Sequence, residues 1–474
     1  MTRRAITLAM TALAAGGCSM APTYHRPAAP VAATLPQGPS YPALTEGDGA
    51  IDAIGWHAFF PDPRLQRVIA TALASNRDLR AGIANVEVAR AQYHVARAAQ
   101  LPTINAVPSA SRYHGSVSAN GYTSGYNNSG NTTEAFGISS GFAAFEIDLW
   151  GRVRSQSRAA IEAWLASDEG HKAAQTALVA EVATAWATVG ARADALAVAR
   201  DTLASRQQSL DLARARETQG VGTGLAVAQA ELLMQTAQSD LAAYTTALAQ
   251  ARNALQLLAG AELPAADVPT TLDDDAVLHS LPVGTPSAVL LRRPDVLAAE
   301  HQLQAANASI GAARAALFPT ISLTSLVGLA SGSLSGLFDQ GGTFNYGIGG
   351  SATQTLFDGG AKAGNLAAAR ARHDAAVAQY EKAVQSAFSD VANALARRGT
   401  IDAQLAAQNA SVTSAQRAAT LTRARYDNGV DTSLAALDAE RTVYAARQSL
   451  VATRLERVTN MVTLYAVLGG GLKP

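Results

Sequence analysis

Residues 214–231 (RARETQGVGTGLAVAQAE) and 423–440 (RARYDNGVDTSLAALDAE) are near-duplicates within one chain of 474 residues. Each is a glycine-centred reversal between long alanine-rich stretches of helical pattern. Two such hairpins mark an internal repeat, and they predict an elongated coiled architecture in place of a compact globule.

The duplication reaches beyond the hairpins. Leu65, Val68, Ile69, Leu73, Leu79, Ile83 and Val86 recur at three or four, which predicts one helix from Arg64 to Gln100 with a single apolar stripe. Pro102 ends it. Asp295 to Ala316 repeats the helical pattern, and the junction Leu101-Pro102-Thr103-Ile104 returns as Phe318-Pro319-Thr320-Ile321. After each junction the pattern changes to period two: Phe136, Ile138, Ser140 and Phe142 alternate with small residues, as do Ile321, Leu323 and Ser325 and then Tyr346, Ile348 and Gly350. Apolar residues on one face and small or polar ones on the other suit the strands of a membrane barrel. The polar, glycine-rich stretches 115–133 and 331–343 are expected to be loops facing outward.

Two strands per repeat give four per chain, and four cannot close around a lumen or leave open edges in lipid. Copies must therefore associate. Two chains would supply 8 strands and three would supply 12, and strand parity allows both.

Glu146-Ile147-Asp148-Leu149-Trp150-Gly151-Arg152 and Gln354-Thr355-Leu356-Phe357-Asp358-Gly359-Gly360 close the strand pairs, each placing an aromatic before a glycine at the turn into helix. No proline occurs in 152–219 or 361–428, so either stretch could run roughly 100 Å if helical throughout. Leu196, Leu203 and Leu210, and then Leu241, Leu248 and Leu255, repeat every seven residues, as in a coiled-coil seam.

The N-terminus reads as an export signal over 1–17: Arg3 and Arg4, a short apolar run, then Gly16-Gly17. Cys18, the single cysteine, sits where a bacterial lipobox places the thiol that receives diacylglycerol and fatty acyl groups. Residues 18–55, rich in Pro and Ala, are expected to form the lipid anchor and an extended tether. The remaining divisions are a first repeat over 56–259 with strands at about 103–147, a crossing and belt over 260–286, a second repeat over 287–468 with strands at about 320–356, and a tail over 469–474.

Charge is balanced at 37 basic and 37 acidic residues, with no basic block that would call for nucleic acid. The eight histidines form no metal-ligand spacing, and no Ser/His/Asp arrangement is anchored to an elbow motif. The reading is a non-enzyme with no metal and no cofactor beyond the acyl groups on Cys18.

Taken in order, Cys18, the paired junctions, Asp148-Leu149-Trp150-Gly151, Leu291-Arg292-Arg293-Pro294-Asp295-Val296, Leu356-Phe357-Asp358-Gly359-Gly360 and the two hairpins resemble the outer membrane efflux proteins, in the lipoprotein branch of the trimeric channel-tunnel family. The resemblance implies a mixed fold: a membrane β-barrel on a long α-helical barrel, built as a trimer with 12 strands and a 12-helix periplasmic tunnel. It implies a passive outer-membrane exit channel of a tripartite pump for small toxic compounds, including antibiotics. The partners would be two further copies, a periplasmic adaptor, a proton-driven inner-membrane pump and outer-membrane lipid. It also implies that the hairpin tips meet the adaptor through Arg216, Gly220, Val221, Thr223, Arg425, Gly429, Val430 and Thr432. Leu434 matches the family's hydrophobic constriction, Asp438 its acidic ring and Tyr426 its tip tyrosine. Asp431 stands where members with a closing network carry a basic residue, and Arg425 or Arg423 are the replacements at hand. The alternatives are an exit duct for type I protein secretion and a non-catalytic, lipid-anchored coiled-coil scaffold.

Overall fold

A computed structural model describes residues 19–43, 54–115, 131–281, 286–339 and 343–470. Cys18, the expected export signal over 1–17, most of the first predicted loop and the last four residues lie outside the described residues. The chain divides into two compact units. One comprises Met1–Arg26, Glu87–Leu165 and His301–Ala378, and the other Pro27–Val86, Ala166–Glu300 and Gln379–Pro474.

The first unit is organised by one sheet. Strands β1 (Asn105–Gly115), β2 (Asn131–Glu146), β3 (Thr320–Ser331) and β4 (Thr343–Thr353) pair antiparallel in the order β1-β2-β3-β4. The two repeats therefore join edge to edge, with Ile138 opposite Leu329 and Gly141 opposite Leu326 across β2 and β3. A bulge between Phe142 and Phe145 shifts this register, and Ala144 takes the left-handed φ of 54° there. β1 and β4 have no further strand partner among the described residues. Among its described residues, the predicted outward loop 331–343 holds a 3₁₀ turn, Ser335–Leu337, in which Leu337 is buried.

The strand-to-helix junction of the first repeat is fixed by side chains. Trp150 stacks on Phe318 with ring centres 4.8 Å apart, and its Nε1 donates to the Pro319 carbonyl at 2.9 Å. Just before it, the Ile147 amide donates to the Ile321 carbonyl at 2.8 Å, extending the β2–β3 ladder by one rung.

The second unit holds the main core. Helix α1 (Trp56–Phe59) and helix α2 (Pro63–Ser75) bring Phe59, Phe60, Leu65 and Ile69 against Trp186 and Tyr465. Phe59 and Tyr465 stack at 4.1 Å, while Trp186 Nε1 and Tyr465 Oη donate to the carbonyls of Asp267 and Ile54. The polar atoms of these two buried rings are thus satisfied. Asp62 caps α2, accepting from the Arg64 amide at 2.7 Å.

The stripe predicted as one helix over 64–100 is two: α2 stops at Ser75 and α3 runs Arg77–Ala98. Asn76 makes the break. Its amide closes α2 on Ala72, its Oδ1 accepts from the Leu79 amide, and its Nδ2 donates to the Leu258 carbonyl at 2.9 Å. A tertiary partner 182 positions away holds the break.

The remaining helices are long. Helix α4 (Arg152–Thr218) and α7 (Ala361–Asp427) have 67 residues each, about 100 Å at 1.5 Å per residue. They return through α5 (Gly224–Ala259) and α8 (Ser433–Val467). Helix α6 (Pro294–Ala315) begins on its proline, where the missing amide leaves nothing unpaired. Among the described residues, no helix is long and apolar enough to cross a membrane.

Candidate functional site: the hairpin tips

The two reversals have the same backbone. Gly220 and Gly429 both sit at φ 74°, a left-handed value that costs a residue with a side chain and suits glycine. In the first tip the Val221 amide reaches the Arg216 carbonyl at 3.0 Å and the Gly220 amide reaches Glu217. In the second, Val430 reaches Arg425 at 2.9 Å and Gly429 reaches Tyr426. This is a Schellman ending, which satisfies the last carbonyls of α4 and α7. Thr223 and Thr432 then cap α5 and α8, each accepting at 3.3 Å from the amide three residues on.

Side chains distinguish the tips. Asp431 pairs with Arg425 at 2.7 Å, and the mutual hydrogen bond holds the Asp431 carboxyl below and the Arg425 guanidinium above their ordinary values. Arg425 is thereby engaged within its own turn. Arg216 crosses between tips: it stacks on Tyr426 at 4.2 Å and approaches Asp427 at 3.9 Å. Val221 and Val430 stay exposed at the two apices.

At the start of α8, Ala436 and Leu437 are buried while Leu434 and Asp438 are exposed. The spacing of four places Leu434 and Asp438 on one face, and Arg441 continues it and pairs with Asp438.

A buried cluster behind the tips takes up Arg423, one of the two replacement basic residues expected at the tip, and joins it to partners that no spacing in the sequence points to. Arg206 on α4, with a side chain only 4% exposed, meets Glu440 on α8 at 2.8 Å. Arg423 on α7 reaches the same carboxylate at 3.4 Å and donates to Ser209 Oγ on α4 at 3.1 Å. Burial pulls the Arg206 guanidinium below the usual arginine value, and the Glu440 charge only partly restores it. The cluster borders a cavity of about 450 Å³ that also exposes Asp201, Tyr444 and Arg447. Farther along α8, Tyr444 donates to Asp240 at 3.0 Å and Gln448 to Tyr244 at 2.9 Å, both on α5. Burial first, and then Asp240, raise the Tyr444 hydroxyl well above its ordinary value. The second hairpin is thus pinned to the first by polar links.

Among the described residues, no three His, Cys, Asp or Glu side chains gather as a metal site. The arrangement offers charged contacts between helices and two apolar apices, and its chemistry is that of a joint.

Residues 68–261 and 285–470 match the outer membrane efflux protein family. The chain is similar to the antibiotic efflux pump outer membrane protein ArpC of Pseudomonas putida, 41% identical over 473 residues, covering 99% of this chain and 96% of that one. It is also 41% identical over 472 residues to the toluene efflux pump outer membrane protein TtgC of Pseudomonas putida, with coverage of 99% and 96%. Its fold is similar to the crystal structure of the open state of the Neisseria gonorrhoeae MtrE outer membrane channel, at a TM-score of 0.85 and 38% identity, covering 96% of this chain and 99% of that one.

Proposed function

The chain belongs to the outer membrane efflux protein family, and from that premise we propose that it is a passive exit channel of the outer membrane, serving a tripartite pump. The observation that carries this reading is the four-stranded antiparallel sheet, neither edge of which is paired among the described residues. Lipid cannot satisfy an open edge, so copies close the ring, and three copies give an even-numbered barrel of 12 strands. The long helices continue as a tunnel into the periplasm, where an adaptor and a proton-driven inner-membrane pump supply drive and cargo. The protein is not an enzyme. Relatives named for antibiotic and toluene efflux support small toxic compounds as cargo.

Cys18 carries the acyl anchor in this reading. Its support is the chain that follows: Asn307 Nδ2 donates to the Pro22 carbonyl at 2.8 Å, and Arg314 donates to that of Met20 at 3.3 Å. Between them Gly311 leaves room for Ala21, whose Cα would lie 2.8 Å from an added Cβ. These contacts hold the segment along α6, which leads into β3.

The apices Gly220, Val221, Thr223, Gly429, Val430 and Thr432, with Arg216 and Arg425 beside them, meet the adaptor. Leu434 and Asp438 line the constriction, and Tyr426 belongs to the closing network. Arg216 takes the place of the basic partner that Asp431 displaces, supported by its stack on Tyr426. The reading is tested by reconstituting the purified, lipidated protein in a planar bilayer. Trimers that conduct ions without nucleotide are expected, and a monodisperse, non-conducting monomer would overturn it.

A further inference from the structure

The strand-to-helix turns of the two repeats are alike in sequence and unlike in company. Trp150 after β2 is seated on Phe318, the residue that opens the Phe-Pro-Thr-Ile junction before β3. After β4, Leu356 and Phe357 are 93% and 90% exposed and touch no such seat. The matching junction before β1 is equally bare, with Leu101 at 70% and Ile104 at 69%. One copy of a duplicated contact is made within the chain, and both halves of the other stand open.

The sheet says where the open halves would meet. Three successive antiparallel pairings make β4 antiparallel to β1. When β4 of one copy lies beside β1 of the next, the alternation continues unbroken. The C-terminal end of β4 then adjoins the N-terminal end of β1, as the end of β2 already adjoins the start of β3. Large side chains this exposed next to an unpaired edge are a contact surface awaiting its partner.

We propose that Leu356 and Phe357 of one copy seat on Leu101 and Ile104 of the next, forming between chains the contact that Trp150 and Phe318 form within one. The partner is a second copy of this chain. The inference rests on the oligomeric exit-channel reading and adds which residues seal the junction between copies below the sheet. The Trp150 seat also carries a hydrogen bond to Pro319, which Phe357 cannot make. The seal between copies is therefore apolar, and it is the weaker of the two.

The test is thiol cross-linking of the full-length protein in membranes with a short bis-maleimide. Leu101→Cys combined with Phe357→Cys is expected to give covalent dimers and trimers in denaturing gels, while each single substitution gives none and so controls for Cys18. Trp150→Cys with Phe318→Cys is the internal reference, and it links within a chain without a ladder. Trimers seen by native electrophoresis, with no ladder from the first pair and a link in the reference, would overturn the contact and leave the channel reading intact. Absence of any oligomer in the unsubstituted protein would remove the reading itself. Should the paired cysteines block assembly, Phe357→Ala must lower the temperature at which trimers dissociate in mild detergent and Phe357→Trp must preserve it; equal behaviour of the two sinks the proposal.

Discussion

The guanidinium carbon of Arg216 lies 4.2 Å from the centre of the Tyr426 ring, so the last turn of α4 is stacked on the last turn of α7. A contact between a cation and an aromatic face is worth about 0.5–1 kcal/mol where partly solvated. Opening that separates the hairpins would lose it. Arg216→Ala should therefore shift the closed-to-open equilibrium by roughly two- to fivefold per protomer. Open probability in single-channel recordings checks this, and a double-mutant cycle with Tyr426→Ala should show the two losses to be less than additive.

The cluster behind the tips should fail asymmetrically. Glu440→Gln leaves Arg206 buried with its counter-charge gone, and removing one partner of a buried pair costs about 3 kcal/mol. Replacing both partners, Arg206→Met with Glu440→Leu, removes the Arg206 charge along with its solvation penalty and should cost less, because Arg423, which shares the Glu440 carboxylate, is 33% exposed and keeps Asp427 at 3.4 Å. Thermal unfolding of the two variants in the same detergent decides: equal losses would mean that Glu440 does not hold Arg206.

Much of this architecture is legible in the sequence, because local chemistry dictates it. The dyad alternation around Phe136 and Tyr346, the prolines at 102 and 319 and the glycines at 220 and 429 each force one local outcome whatever surrounds them. The break at Asn76 is not legible. Nothing in the stripe from Leu65 to Leu79 interrupts the helical period; the side chain caps the next helix locally, and the Leu258 carbonyl 182 positions away holds it in that place. Arg206 and Glu440 escape for the same reason: their partnership spans 234 positions and leaves no spacing to read. Contacts across the repeat need the fold before they can be seen.

Asp62 gives the second unit an acid-sensitive element. Burial would raise its carboxyl, but hydrogen bonds from the Arg64 side chain and amide outweigh burial and hold it below the ordinary value. A depressed folded value contributes stability that is present above the unfolded pKa, about 3.9, and is lost as pH falls through the lower folded value. The wild-type unfolding midpoint should thus drop below about pH 4, and Asp62→Asn, which keeps the cap but cannot ionise, should flatten that dependence. Midpoints measured from neutral pH down to acid check the sign; an unchanged slope in the variant would acquit Asp62.

Leu434, Asp438 and Arg441 share the exposed face of α8 just past the second tip, with Ala436 and Leu437 turned into the protomer. In a threefold assembly three leucines would narrow the aperture, and three carboxylates would follow one turn behind. Leu434→Ala should raise single-channel conductance by widening the narrowest ring. Asp438→Asn should lower the preference for cations and leave the width nearly unchanged, because the two side chains are of one size. The Asp438–Arg441 pair already offsets part of each carboxylate's charge, so Arg441→Ala should strengthen cation preference, opposite in sign to Asp438→Asn. Conductance and reversal potentials under a salt gradient separate the two effects, and a double variant with neither altered would remove both residues from the constriction.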